Sequence, residues 1–102
     1  MAKGRIPESD IEAIRNLVRI EDVVGEYVSL KPAGVDSLKG LSPFTDEKTP
    51  SFHVRPNHGY YHCFSTGEGG DVFSFLMKME HVTFVEAVEQ LADRIGYRIH
   101  YQ

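Results

Sequence analysis

The chain has a single cysteine, Cys63, so an intramolecular disulfide is excluded. That argues against a secreted, cross-linked fold and suits a reducing cytoplasm. No apolar run approaches the ~20 residues needed to cross a bilayer, and no charged-then-apolar leader opens the sequence. The expectation is a soluble cytoplasmic chain with no membrane partner. Internal repeats and low-complexity tracts are lacking. At 102 residues there is no room for a second domain, although 41% hydrophobic content suffices for one core. Basic residues are also short: eleven Lys and Arg against fifteen Asp and Glu give a net charge of −4. Such a balance disfavours a nucleic-acid binder that depends on overall charge, because phosphates need local positive potential.

The acid is unevenly spread. Residues 1–30 carry Lys3, Arg5, Arg15 and Arg19 against six acidic groups, and residues 63–102 carry three basic against six acidic. Between them Lys31, Lys39, Lys48 and Arg55 face only Asp36, Asp46 and Glu47, and His53, His58 and His62 fall in the same third. The centre is therefore the least negative part.

Ser9-Asp10-Ile11-Glu12 reads as a capping box opening a helix whose inner face is Ile11, Ile14, Leu17 and Val18. Ile20, Val23, Val24 and Tyr27 continue in a second short helix. Tyr27 to Lys31 alternates like a strand that Pro32-Ala33-Gly34 breaks, and Ser37 to Leu41 reads as its return. Ser51 to Arg55 and Tyr60 to Phe64 flank Pro56-Asn57-His58-Gly59 as a hairpin, with Phe52 and Val54 on one face and His53 and Arg55 on the other. Gly67 to Gly70 leads into a buried, apolar helix capped by Asp71. Thr83 and Glu86 form a second capping box, for a helix with Phe84, Val85, Val88, Leu91, Ala92 and Ile95 inside and Gly96 past its end. Tyr97 to Tyr101 reads as a closing strand. Helices on both sides of a central antiparallel sheet make an α+β domain.

Chemistry is sparse. The glycines before Asp71 lack the G-K-[ST] of a phosphate loop, and Asp71 would repel an anion. Cys63 and His62 cannot act as a nucleophile–base pair, since adjacent strand residues point to opposite faces. No complete catalytic set is present. Binding of a single strand needs aromatic platforms beside basic groups, and the hairpin has Phe52, Tyr60, Tyr61 and Phe64 with His53, Arg55, His58 and His62. The same aromatics could equally be core, and spacing leaves both readings open.

The runs P-F-T-D-E-K-T-P-S-F-H-V and Y-H-C-F-S-T-G-E-G-G-D-V-F-S-F-L resemble the zinc-binding domain found at the N-terminus of bacterial DNA primases. The family pattern is C-P-F-H, then E-K-[TS]-P-S-F, then Y-H-C-F-G-C-G and G-[DN]. Upstream, Ile20 to Leu30 matches I-x-D-V-V followed by Y-V-x-L, and Ser37 to Leu41 and Asn57-His58-Gly59 are similar to actinobacterial members. The resemblance covers nearly the whole chain. It implies a zinc-ribbon-like antiparallel sheet flanked by N- and C-terminal helices, spanning residues 1–102 as one domain of a longer chain.

In the family three cysteines and a histidine hold zinc, and the matching positions here are Ser42, Thr45, Cys63 and Thr66. Neutral hydroxyls are poor zinc ligands beside thiolate and imidazole, so no metal cofactor is expected. A substitute site from His53, His58, His62 and Cys63 is opposed by the strand alternation. Instead Ser42, Thr45 and Thr66 are expected to hydrogen-bond one another or nearby amides around a buried Cys63. The resemblance further implies a non-catalytic, template-engaging, initiation-regulating domain of a primase, itself a nucleotidyltransferase that synthesises RNA primers. Its implied partners are single-stranded DNA, the polymerase domain in cis or trans, and the replicative helicase through the full-length chain. Candidate template contacts are Lys48, His53, Arg55, Tyr60, Tyr61 and His62. The alternative is a structural or regulatory module that does not bind DNA and contacts the polymerase domain.

Overall fold

Period-two alternation in the central hairpin organises the domain in a computed structural model that describes residues 4–102. Strands β3 (Phe52–Arg55) and β4 (Tyr60–Cys63) pair antiparallel, with Phe52 opposite Cys63 and Val54 opposite Tyr61. These four side chains point inward and are fully buried. The outward set is His53 opposite His62 and Arg55 opposite Tyr60. Two further strands, β1 (Lys31–Gly34) and β2 (Ser37–Gly40), extend the sheet on one side, and the two-residue β5 (Gly69–Gly70) closes the other. The order is β1-β2-β3-β4-β5, antiparallel throughout.

Four helices cover the inner face: α1 (Glu8–Leu17), α2 (Ile20–Val24), α3 (Val72–Glu80) and α4 (Phe84–Ile95). Phe52 and Tyr61 stack at 5.3 Å, and Phe75 of α3 meets the Tyr61 ring edge-on at 5.5 Å. Phe44, from the loop after β2, reaches the same cluster at 5.7 Å from Phe52. Ile14, Val23, Val24, Val88 and Leu91 complete the buried apolar core. Close approach is required at Gly40, where an added Cβ would lie 2.6 Å from Val28 Cγ1 and 2.7 Å from Ser29 O.

Local signals place several boundaries as expected. Asp71 Oδ1 accepts from the Ser74 amide at 2.9 Å, Thr83 and Glu86 make a complete capping box, and Gly96 ends α4 with φ 71°. The α+β architecture and the zinc-ribbon-like sheet between helices are as the sequence implies.

Other expectations fail for identifiable reasons. Ser9 is not a cap: α1 begins at Glu8, behind Pro7, whose carbonyl accepts from the Asp10 and Ile11 amides at 3.1 and 3.2 Å. Proline pre-sets the φ needed for helix entry. Leu17 lies off the Ile14–Val18 face and is 60% exposed. Residues 25–28 form turns back onto α2, through Tyr27 and Val28 amides to Val24 O, so the first strand starts only at Lys31 and runs through Pro32. Its edge position tolerates a residue without an amide proton. Phe84 and Val85 belong to the first turn of α4, which overhangs the core, and both are exposed, although Phe84 still meets the Phe73 ring edge-on.

Tyr97 to Tyr101 is not a strand. This tail is tied instead to the buried Asp10, which accepts from Tyr97 Oη (2.6 Å), the His100 amide (2.6 Å) and His100 Nδ1 (3.0 Å). Arg5 and Gln102 exchange two backbone bonds alongside. Hydrogen bonds from Tyr97 and then His100 hold the Asp10 carboxyl down at about 2. Because that value lies below the ordinary 3.8, the tether's stabilisation is complete above 3.8 and is lost as pH falls towards 2. Asp10→Asn is expected to lower the melting temperature by roughly 5–10 °C at neutral pH and to flatten the acid limb, measured by thermal melts across pH.

Candidate functional site

Two sites meet on the β3–β4 hairpin, one on each face. The inner one surrounds Cys63. Its thiol lies 3.2 Å from Ser42 Oγ, 3.3 Å from Ser65 Oγ and 3.9 Å from Ser51 Oγ. Burial pushes the thiol up, yet hydrogen bonds with Ser42, Ser65 and Thr66 more than offset this and bring it down to about 6. Glu47 stitches the surrounding loops together, accepting from the Ser42 amide at 2.8 Å, the Ser51 amide at 3.2 Å and Ser51 Oγ at 2.7 Å. Bonds from Ser51 and then Ser42 hold the Glu47 carboxyl below its ordinary value. Thr66 Oγ1 also accepts from the Glu68 amide at 3.3 Å.

The expected hydroxyl cluster is therefore partly realised. Ser42 and Thr66 take part, whereas Thr45 is exposed and stands outside it. Ser51, Ser65 and Glu47 replace it, three residues that sequence reasoning missed although they lie in the E-K-T-P-S-F and C-F-S-T runs. The donor set does not fit zinc: one sulfur among neutral hydroxyls lacks the charge and softness of a closed tetrahedral site. Among the described residues no group of three or more His, Cys, Asp and Glu converges on one point. His53, His58, His62 and Cys63 in particular do not assemble, because the first and third face outward and His58 Nδ1 pairs with Asp36 Oδ2 at 3.1 Å.

The outer site is a grid of side chains. Lys39 of β2 stands opposite His53 of β3, which stands opposite His62 of β4; Arg55 stands opposite Tyr60. Facing pairs project to the same side. A cleft of about 560 Å³ runs over this surface, lined by His53, Arg55, Tyr60, His62 and Phe64 and bounded by Ala33 to Val35 and Ser37. No Asp or Glu lines it. Burial, then the Lys39 and Arg55 charges, hold the His53 imidazole below its ordinary value, so it is neutral near pH 7.

Four of the six expected template contacts, His53, Arg55, Tyr60 and His62, thus share one cleft. Lys48 is exposed on the loop between β2 and β3, away from the lining. Tyr61 must be withdrawn as a surface contact. Its side chain is 0% exposed, stacked on Phe52, because alternation directs it inward with Val54. Phe64, not among the expected contacts, joins the cleft through the same alternation that places Tyr60 and His62 outward.

The sequence of residues 6–102 matches the family model described as the CHC2 zinc finger. The chain belongs to the CHC2 zinc-finger family. Among curated relatives of this CHC2 domain, DNA primase of Mycolicibacterium smegmatis is 70% identical over 101 residues, covering 99% of this chain and 16% of that protein. DNA primase of Streptomyces coelicolor is 52% identical over 99 residues, covering 97% and 15%. The chain therefore spans only about a sixth of the length of the primases it matches. A solved structure, the Aquifex aeolicus primase with its zinc-binding and RNA polymerase domains, superposes with a TM-score of 0.82 at 36% identity, covering 87% of this chain and 22% of that one. The sheet-and-helix fold is thus the CHC2 fold.

Two substitutions test the inner site. Glu47→Ala leaves the Ser42 and Ser51 amides without their acceptor and is expected to abolish their hydrogen-exchange protection and lower the melting temperature by roughly 5 °C. Tyr61→Phe keeps the stacked ring, so folding by circular dichroism and affinity for a single strand are expected to match the parent chain.

Proposed function

We propose that this CHC2 domain engages single-stranded template DNA through the outer face of its sheet, as the non-catalytic, initiation-regulating part of a bacterial DNA primase. The observation that carries this reading is the cleft in which His53, Arg55, Tyr60 and His62 lie together, beside Lys39 and with no carboxylate in its lining. Single-strand binders combine aromatic faces with local cations, so a net charge of −4 is no obstacle when the acid lies elsewhere. Here it does: Glu8, Glu12, Glu80, Glu86, Glu89 and Asp93 belong to α1, α3 and α4. Lys48 would meet a phosphate where the strand leaves the cleft.

On this reading the nucleotidyl transfer that makes RNA primers belongs to a polymerase domain, acting in cis or trans. The replicative helicase is met through the full-length chain, in the cytoplasm. The strong identity to mycobacterial and streptomycete primases supports that assignment.

The second part of the proposal is that the domain works without bound zinc. Its support is the chemistry of Ser42, Thr45 and Thr66 and the hydrogen-bond network that surrounds Cys63 in their place. Elemental analysis of protein purified without chelator is expected to find well under one zinc per chain, with melting curves unchanged by EDTA. Near-stoichiometric zinc would refute it. The triple change Ser42→Cys, Thr45→His and Thr66→Cys supplies the family ligands and is expected to bind about one zinc.

A module that contacts only the polymerase domain is the competing reading, favoured by the acidic helices. Anisotropy titration of a labelled single strand separates the two. Saturable, salt-sensitive binding is expected, with Arg55→Ala reducing the slope of log affinity against log salt by about 1. Absence of saturable binding would favour the module.

A further inference from the structure

We infer that the outer cleft takes an unpaired nucleobase stacked on the Phe64 ring, with Val35 as the apolar wall of the same cleft, so that recognition requires exposed bases as well as phosphates. The inference rests on the strand-binding reading above and deepens it. Phe64 is 68% exposed, on a surface where its neighbours are polar. Its position is nonetheless fixed. The Phe64 amide donates to Ser51 O at 3.0 Å, and two imidazoles meet the ring edge-on, His62 at 4.5 Å and His53 at 5.0 Å. A ring already immobilised loses little further freedom when a base lands on it. Aromatic rings favour offset stacking, and every base offers a π-face.

Val35 is the second part. It is 97% exposed at the turn between β1 and β2. The next residue, Asp36, adopts φ 53° and accepts from the Asn57 amide at 2.8 Å, with His58 Nδ1 at 3.1 Å, so the turn is pinned to the β3–β4 turn. Val35 is thus held over the cleft, with Ala33 and Gly34 beside it. The volume of about 560 Å³ lies within the range of small-molecule sites. Arg55 lines it, Lys39 stands opposite His53 on the neighbouring strand, and the lining contains no carboxylate. That charge pattern fits an anionic strand better than a neutral apolar segment. Two cations are few for duplex binding through phosphates alone, whereas an unpaired base adds the stacking contribution.

The test compares two single strands of about 12 nucleotides, one with ordinary bases and one abasic throughout, so that phosphates are kept and bases removed. Each is titrated by anisotropy against the parent chain, Phe64→Ala, Phe64→Trp and Val35→Ser. Folding of each variant is checked by circular dichroism. The parent is expected to bind the base-bearing strand at least tenfold more tightly than the abasic one. Phe64→Ala is expected to lose about tenfold on the base-bearing strand and to leave abasic binding unchanged, with Phe64→Trp restoring affinity. Val35→Ser is expected to lose affinity for the base-bearing strand only. Equal parent affinity for both strands, or Phe64→Ala losses of the same size on both, would overturn base stacking while strand binding stands. Failure of the parent to bind either strand would overturn both.

Discussion

The two-residue repeat of the β3–β4 hairpin is the constraint from which the rest of the domain follows. A strand cannot send neighbouring side chains to the same face. Once Phe52, Val54, Tyr61 and Cys63 are committed to the core, His53, Arg55, Tyr60, His62 and Phe64 are committed to solvent. A one-residue slip would expose two stacked aromatic rings and bury an arginine, which the fold could not tolerate. The hairpin therefore separates a packed inner site from an open outer one within the two strands Phe52–Arg55 and Tyr60–Cys63 and the residue that follows them.

The inner face of this CHC2 domain is closed by packing and by hydrogen bonds around Cys63. Structural zinc contributes on the order of 10–16 kcal/mol in finger peptides that have almost no core. Among the described residues of this chain nineteen hydrophobic residues are buried, and a fully buried Val, Leu, Ile or Phe side chain contributes roughly 1.5–3 kcal/mol gross. Packing of that kind drives collapse of the inner face. What remains is to position two loops against each other. Glu47 does this through Ser42 and Ser51, and the Cys63 sulfur lies at the centre of the same bonds. Phe44 adds an apolar anchor by inserting its ring against Phe52.

Charge is divided as sharply as polarity. The helices carry most of the acid and cover the inner face of the sheet, leaving the outer face to Lys39, Arg55 and three imidazole or phenol rings. Fields from exposed charges fade over about 8 Å at physiological ionic strength. The cleft can therefore present a locally positive, aromatic surface on a chain whose total charge is −4. Burial and the neighbouring Lys39 and Arg55 charges hold the His53 imidazole below its ordinary value, so it leaves hydrogen-bonding capacity there without adding repulsion between like charges.

Features that depend on neighbours a few residues apart could be read from the chain alone: the alternation of the hairpin, the Asp71 and Thr83 caps, the glycine that ends α4, and the CHC2 motif. These features are legible because a pleat, a cap or a motif is a short-range pattern. Only the tertiary structure decided where β1 begins, since Pro32 is acceptable solely because that strand lies at the edge. It also withdrew Tyr61 from the surface, assigned Ser51, Ser65 and Glu47 to the Cys63 network, and placed Phe64 and Val35 in one cleft. The tail bound to Asp10, some ninety positions away in sequence, belongs with these. Each depends on pairing register or on contacts between distant segments, and no local periodicity encodes which distant partner a side chain will meet.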